Sequence, residues 1–156
     1  MQPLEIFATQ LLFSLLVYSL LARWIIVPKL APMKQNDRLF WLVLPHTSRH
    51  IGLSFLVPGL TAGELRDSFA LPTAYGDFVT AILALVSLLL LKKESRLAIP
   101  FVWVTTLFGT ADLLKALSNP DMVPILGTTW YIPTMWVPLL LVSHFLTARE
   151  LLSSRR

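Results

Sequence analysis

A chain of 156 residues that is 55% hydrophobic and 14% charged, with a mean hydropathy of +0.68, falls well short of the roughly 25% charge usual in soluble domains. Its 13 Lys+Arg against 9 Asp+Glu give a net charge of +4, but the basic residues are spread along the chain and form no single patch, which argues against nucleic acid as a partner. The absence of cysteine excludes a disulfide framework, an iron–sulfur centre and a thiolate-held zinc.

Five stretches approach the ~20 mostly apolar residues that a transmembrane helix needs. The first, about 4–27, stops at Pro28; residues 1–5 lack a basic n-region and the apolar run exceeds a signal h-region, so it is expected to stay in the mature protein. The second lies within about 39–60, interrupted by Pro45 and closed by Pro58-Gly59. Its start is open between Asp37, with Pro45 as a kink, and Pro45 itself, which would leave a segment short enough to be re-entrant. The third, about 72–91, contains the unbroken run Ala81-Ile82-Leu83-Ala84-Leu85-Val86 and after Thr80 is a better candidate for lipid contact than the fourth. A fourth, about 98–118, ends at Ser118-Asn119-Pro120, and a fifth covers about 129–148. The connections are too short for a soluble domain. The fold class is therefore all-α: one polytopic bundle of five transmembrane helices over residues 1–156.

Basic residues collect on the cytoplasmic side of membrane proteins. Arg23, Lys29, Lys34 and Arg38 lie around the first connection, Lys92, Lys93 and Arg96 in the third, and Arg149, Arg155 and Arg156 at the C-terminus. The other side holds Arg66 and Lys115 with Glu5, Glu64, Asp67 and Asp121, which puts the N-terminus outside and the C-terminus in the cytoplasm. Trp24, Trp41 and Trp103 at the inner boundary and Trp130, Tyr131 and Tyr75 at the outer one agree with that orientation.

Ionisable residues inside spans are costly and are functional candidates by default. The densest group is Pro45-His46-Thr47-Ser48-Arg49-His50. On an α-helix His46 and His50 project from one face, and His144 of the fifth span lies at a similar depth, so three imidazoles could hold a divalent metal or ligate a haem. The ordinary alternative is snorkelling of these side chains to the headgroups. If the second helix begins near Asp37, Arg49 lies ~16 Å in, near the bilayer centre, and needs a partner. Asp77 of the third span and Asp112 of the fourth come to matching depth. Asp77 has a local alternative as an N-terminal helix acid, and Asp112 another in Lys115 three residues on. Of the two, Asp112 is the stronger candidate, being farther from its helix end and in a segment with Thr105, Thr106, Gly109 and Thr110. Pro133 and Pro138 free backbone carbonyls in the fifth span, which makes Thr129, Trp130, Thr134 and Trp136 candidates to line a pocket open to the outer half.

With Leu44-Pro45-His46, Arg49-His50-Ile51-Gly52-Leu53, Phe55-Leu56-Val57-Pro58-Gly59, Ala74-Tyr75-Gly76-Asp77 and Gly109 with Asp112-Leu113-Leu114, the chain resembles an uncharacterised family of small bacterial five-span integral membrane proteins. The resemblance covers most of the length, implies a multi-pass protein of the bacterial cytoplasmic (inner) membrane, and implies no activity. A fainter similarity to DoxX-like four-span proteins rests on Gly76-Asp77, the Leu-rich helix after it and Arg96-Leu97-Ala98, and carries no function across.

Three functions fit these residues. One is a ligand- or cofactor-binding membrane protein, such as a membrane oxidoreductase or lipid-modifying enzyme, using His46, Arg49, His50, Asp112 and His144. Another is a small proton-coupled transporter or channel in which Asp77, Asp112 and His50 relay protons, expected to act as a homo-oligomer given how little room the chain has for internal repeats. The third is a non-catalytic subunit bound to a larger membrane protein partner. Membrane lipid surrounds the chain in all three.

Overall fold

The structure, a computed structural model, describes residues 2–153; Arg155 and Arg156, two of the basic residues assigned to the C-terminal side, lie outside them. The described residues form helices and turns and contain no strand. Five long helical segments follow one another: α1 (Pro3–Leu30), α2 (Gln35–Val43) running into a 3₁₀ helix (Leu44–Leu56), α3 (Asp67–Lys92), α4 (Ala98–Leu117) and α5 (Gly127–Ser153), with a short 3₁₀ helix, Pro120–Ile125, in the loop before α5. By length and composition α1, α3 and α5 are long and apolar enough to cross a membrane.

Proline decides where the helices change pitch. Pro28 cannot donate to the carbonyl of Trp24, and α1 widens there into a π-turn, Ala22–Ile26, in which the Val27 N–H reaches back five residues to Ala22. The same device recurs in α5, where Pro138 follows the π-turn Ile132–Trp136 and the Val137 N–H bonds the Ile132 carbonyl. Pro45 acts in the opposite sense: it cannot continue the α pattern from α2, and the chain tightens into a 3₁₀ helix of 13 residues. Such runs seldom exceed 3–4 residues. The second segment thus starts near Asp37, at Gln35, and not at Pro45. With rises of 1.5 and 2.0 Å per residue its 9 and 13 residues reach about 40 Å.

α3 begins at Asp67, earlier than the proline at 72 suggested, and holds Pro72 within its early turns. After Thr80 it is only partly the outward-facing helix that its composition suggests, since one face is packed against its neighbours. Ala81, Ala84 and Ser87 form a small-residue face that lets α4 approach closely, while Ile82, Leu85 and Leu89 point outward. A hydrogen bond of 2.9 Å between the Ser87 and Thr105 hydroxyls joins α3 to α4. The peripheral helix is α1, with only 6% of its apolar window buried against 44% for α3.

Two apolar clusters close the ends of the bundle. At one end Leu39, Val43, Leu88, Leu91, Val102 and Leu151 join α2 to α5, α3 and α4; at the other Phe7, Phe55, Val123 and Leu126 join α1 to the end of the 3₁₀ helix and the loop before α5. Near the first end Arg38 donates to Glu150 at 2.6 and 2.9 Å and to the Met33 carbonyl. α3 ends in a Schellman turn, with Ser95 N–H on Leu90 O and Glu94 N–H on Leu91 O, and Glu94 takes the left-handed conformation usually left to glycine. Near the second end the loops before α3 and α5 clasp through Ala62 N–H to Ile125 O and Thr128 N–H to Leu60 O. Gly127 permits that clasp: its φ is +55° and a Cβ there would lie 2.6 Å from the Ala62 nitrogen.

Candidate functional site

Between the two apolar ends lies a polar layer built from four of the five segments. Its organiser is the 3₁₀ geometry, which has three residues per turn and so stacks positions i, i+3 and i+6. The buried residues of Leu44–Leu56 are His46, Arg49, Gly52 and Phe55, one every third position. That spacing corrects the expectation that His46 and His50 share a face. His50 is turned outward, exposed, with Nδ1 on the Thr47 carbonyl at 3.0 Å.

Arg49, with a fully covered side chain, spends its guanidinium on three neighbours. Nε donates to Asp77 Oδ1 at 2.6 Å, Nη2 to Asp112 Oδ2 at 2.5 Å, and Nη1 to the Gly109 carbonyl at 2.9 Å. α3 contributes Asp77, ten residues past its start and so beyond the reach of the helix N-terminus. α4 contributes Asp112, which pairs with Arg49 and not with the exposed Lys115. One guanidinium against two carboxylates leaves one unit of negative charge when all three are ionised.

Glycines make the room. A Cβ on Gly52 would collide with the Asp77 carboxylate, and one on Gly76 with that of Asp112. On Gly109 it would lie 2.6 Å from His144 Nε2 and 2.8 Å from Arg49 Nη1. These three positions are cut-outs for the charged side chains, a signal the sequence carried only as generic small-residue packing.

His46 and His144 complete the layer. Their rings stack with centroids 3.8 Å apart and planes at 26°, both almost wholly buried, and none of their four nitrogens has a hydrogen-bond partner. Stacked rings present faces, not converging lone pairs, and His50 is elsewhere; the trio proposed for a metal or haem is not assembled. Among the described residues no group of three or more His, Asp or Glu side chains is arranged to hold a metal ion.

A cavity of about 200 Å³ runs from the charged cluster toward the end of the bundle that carries Phe7 and Val123. Its walls are apolar, including Phe7, Leu11, Phe55, Leu113 and Val137, and its polar end is Thr73, Asp77 and Asp112. The fifth segment lines it with Ile132, Pro133 and Val137, not with the residues expected from the freed carbonyls. Thr129 and Thr134 instead donate to local backbone carbonyls, of Leu126 just before α5 at 2.6 Å and of Trp130 at 2.8 Å. Trp130 fastens α1, donating to Gln10 at 2.6 Å and meeting the Phe7 ring edge-on at 5.7 Å, while Trp136 donates to Ser48 at 3.1 Å. Arg49, Asp77, Asp112, His46 and His144 therefore come together, and His50 and Trp130 stand apart.

The family model of a domain of unknown function, DUF8737, matches residues 6–152, and the chain belongs to that family. The match accords with the resemblance to an uncharacterised family drawn from the sequence. No curated protein and no solved structure matches the chain.

Replacing Arg49 by Met leaves two buried carboxylates facing each other without a cation, a change expected to cost about 3–5 kcal/mol. Thermal unfolding in detergent should show a large drop for Arg49→Met and recovery of most of it in the triple variant Arg49→Met/Asp77→Asn/Asp112→Asn. If the single variant unfolds like the parent, the cluster contributes nothing to the fold.

Proposed function

We propose that this member of the DUF8737 family is a five-span protein of the bacterial inner membrane that binds a small apolar molecule carrying a cationic or hydrogen-donating head. The location rests on the sequence resemblance and on the apolar helices. The span count rests on length: α4 has 20 residues, about 30 Å, and the α2 segment about 40 Å, each sufficient for a hydrocarbon core of about 30 Å. The N-terminus is then outside and the C-terminus in the cytoplasm, as the basic residues require.

The observation that carries the binding function is the cavity whose apolar walls end on Asp77 and Asp112. Arg49 occupies one oxygen of each carboxylate, so each keeps acceptor capacity, and the cluster keeps one uncompensated negative charge when fully ionised. An ammonium or a strong donor on the ligand supplies what is missing. Volume limits its size. An apolar cavity of about 150 Å³ takes benzene and drug-sized ligands use roughly 300–1,000 Å³, so a space of about 200 Å³ suits one ring or a short chain.

A second reading, proton carriage, is favoured by the His46–His144 pair. Its four nitrogens are buried without hydrogen-bond partners, and His144 Nε2 and Arg49 Nη1 both lie beside Gly109, which puts the imidazoles next to the cluster of Arg49, Asp77 and Asp112. The charge that a ligand supplies in the first reading is supplied here by a proton.

The membrane topology is directly measurable because the chain has no native cysteine. In intact cells a membrane-impermeant maleimide should label Arg66→Cys and Asn119→Cys and spare Lys34→Cys and Lys93→Cys until the membrane is opened. Equal labelling at positions 34 and 66 would remove the second span. For the ligand, phenethylamine should raise the unfolding temperature of the purified protein, whereas phenylacetate should not. Asp112→Asn leaves Arg49 balanced by Asp77 and should weaken the amine response at least tenfold, the loss expected of one charge-assisted hydrogen bond worth about 1.5–3 kcal/mol. Equal shifts with amine and acid, or an undiminished response in Asp112→Asn, would rule out recognition by these carboxylates.

A further inference from the structure

Farther along α1 from the cavity, past Leu11, lies a larger groove that neither the charged cluster nor the ligand proposal uses. It has a volume of about 630 Å³ and runs between α1 and α5, walled by Leu15, Leu141 and Phe145 among others, with Arg23 and Arg149 at one end. Both arginines are exposed and neither has an ion-pair partner among the described residues, although the neighbouring Glu150 is taken by Arg38. Trp24 stands beside them, 65% exposed.

We propose that this groove is a binding site for an anionic phospholipid, with one acyl chain lying between α1 and α5 and the phosphate held between Arg23 and Arg149. This inference rests on the membrane location proposed above and is independent of the ligand in the cavity. Three observations select the occupant. First, the groove is flanked by the least buried helix of the bundle, a surface that in a bilayer meets lipid. Second, the two helices run parallel, so their arginines emerge at the same end: Arg23 precedes the end of α1 by seven residues and Arg149 precedes the last residue of α5 by four, on the order of 6–10 Å from the helix ends. From that depth a guanidinium extends to the phosphate level while its stem stays against apolar surface. Third, two unneutralised positive charges complement the net negative charge of an anionic headgroup, whereas a zwitterionic headgroup brings its own cation to the site. Basic pockets between spanning helices on the cytoplasmic face, where the proposed orientation puts this end, are sites of this kind. The exposed indole of Trp24 belongs at the same headgroup level.

Native mass spectrometry of the detergent-purified full-length protein, titrated with dioleoyl phosphatidylglycerol and separately with dioleoyl phosphatidylcholine, tests the site. The expected result is a preference for phosphatidylglycerol on the order of tenfold. That preference should vanish in Arg23→Gln/Arg149→Gln and persist in Arg23→Lys/Arg149→Lys, with the phenethylamine response of the cavity unchanged in both. Parity of the two lipids in the parent protein, or a preference that survives the double Gln substitution, overturns the proposal. So does a stable dimer, cross-linked efficiently between Ser19→Cys on one copy and Phe145→Cys on another, because the groove would then be covered by protein.

Discussion

The arrangement of this bundle depends on burying one guanidinium. Arg49 sits where every neighbour is protein, and an unpaired charge there would cost several kcal/mol. Two carboxylates from two other helices and a backbone carbonyl answer that demand. The requirement propagates outward: α3 and α4 must present Asp77 and Asp112 at one level, and Gly52, Gly76 and Gly109 must lack side chains so that the carboxylates, the guanidinium and an imidazole fit between backbones. Because the three charged groups come from three segments, the cluster specifies which helices are neighbours and in what register, something apolar helix faces in lipid do poorly. Its surplus negative charge, at the end of an apolar-walled cavity, is also the feature most in need of a partner.

The 3₁₀ helix is the second half of that solution. An α-helix would rotate successive turns by the remainder of 3.6 residues and would put His50, not Arg49, beneath His46; a three-residue turn stacks His46, Arg49, Gly52 and Phe55 in one column. The poorer hydrogen-bond geometry of so long a 3₁₀ run is the cost of delivering two polar groups and a cut-out to the same line. The π-turns before Pro28 and Pro138 solve a milder version of the problem, absorbing a missing donor without ending the helix.

Much of this was legible in the sequence. Apolar length located all five helical segments, and counting depth from helix ends brought Arg49, Asp77 and Asp112 to one level before any contact was known. What the sequence hid has physical causes. α-helical spacing puts His50 with His46, and a 13-residue 3₁₀ helix is too rare to expect from a single proline. α3 looked lipid-facing because its leucines dominate the hydropathy, whereas Ala81, Ala84 and Ser87, which carry the packing, contribute little to it. Polarity points to the threonines and tryptophans of the fifth segment as pocket residues, yet Thr134 in its apolar setting satisfies a carbonyl of its own helix, and the lining falls to Ile132, Pro133 and Val137. The peripheral position of α1, and hence the groove beside it, has no sequence signature at all, since α1 and α3 are comparably apolar.

Magic-angle-spinning NMR on the protein in lipid bilayers, measuring dipolar coupling between guanidinium nitrogens and carboxyl carbons, tests the central claim most directly. The account predicts contact-range coupling that is lost in part when Arg49 is replaced by Lys, the remainder belonging to Arg38–Glu150 and Arg66–Asp121. Identical coupling in the parent and in Arg49→Lys would mean that Arg49 does not meet Asp77 and Asp112 in the membrane, and the site built on that meeting would not exist.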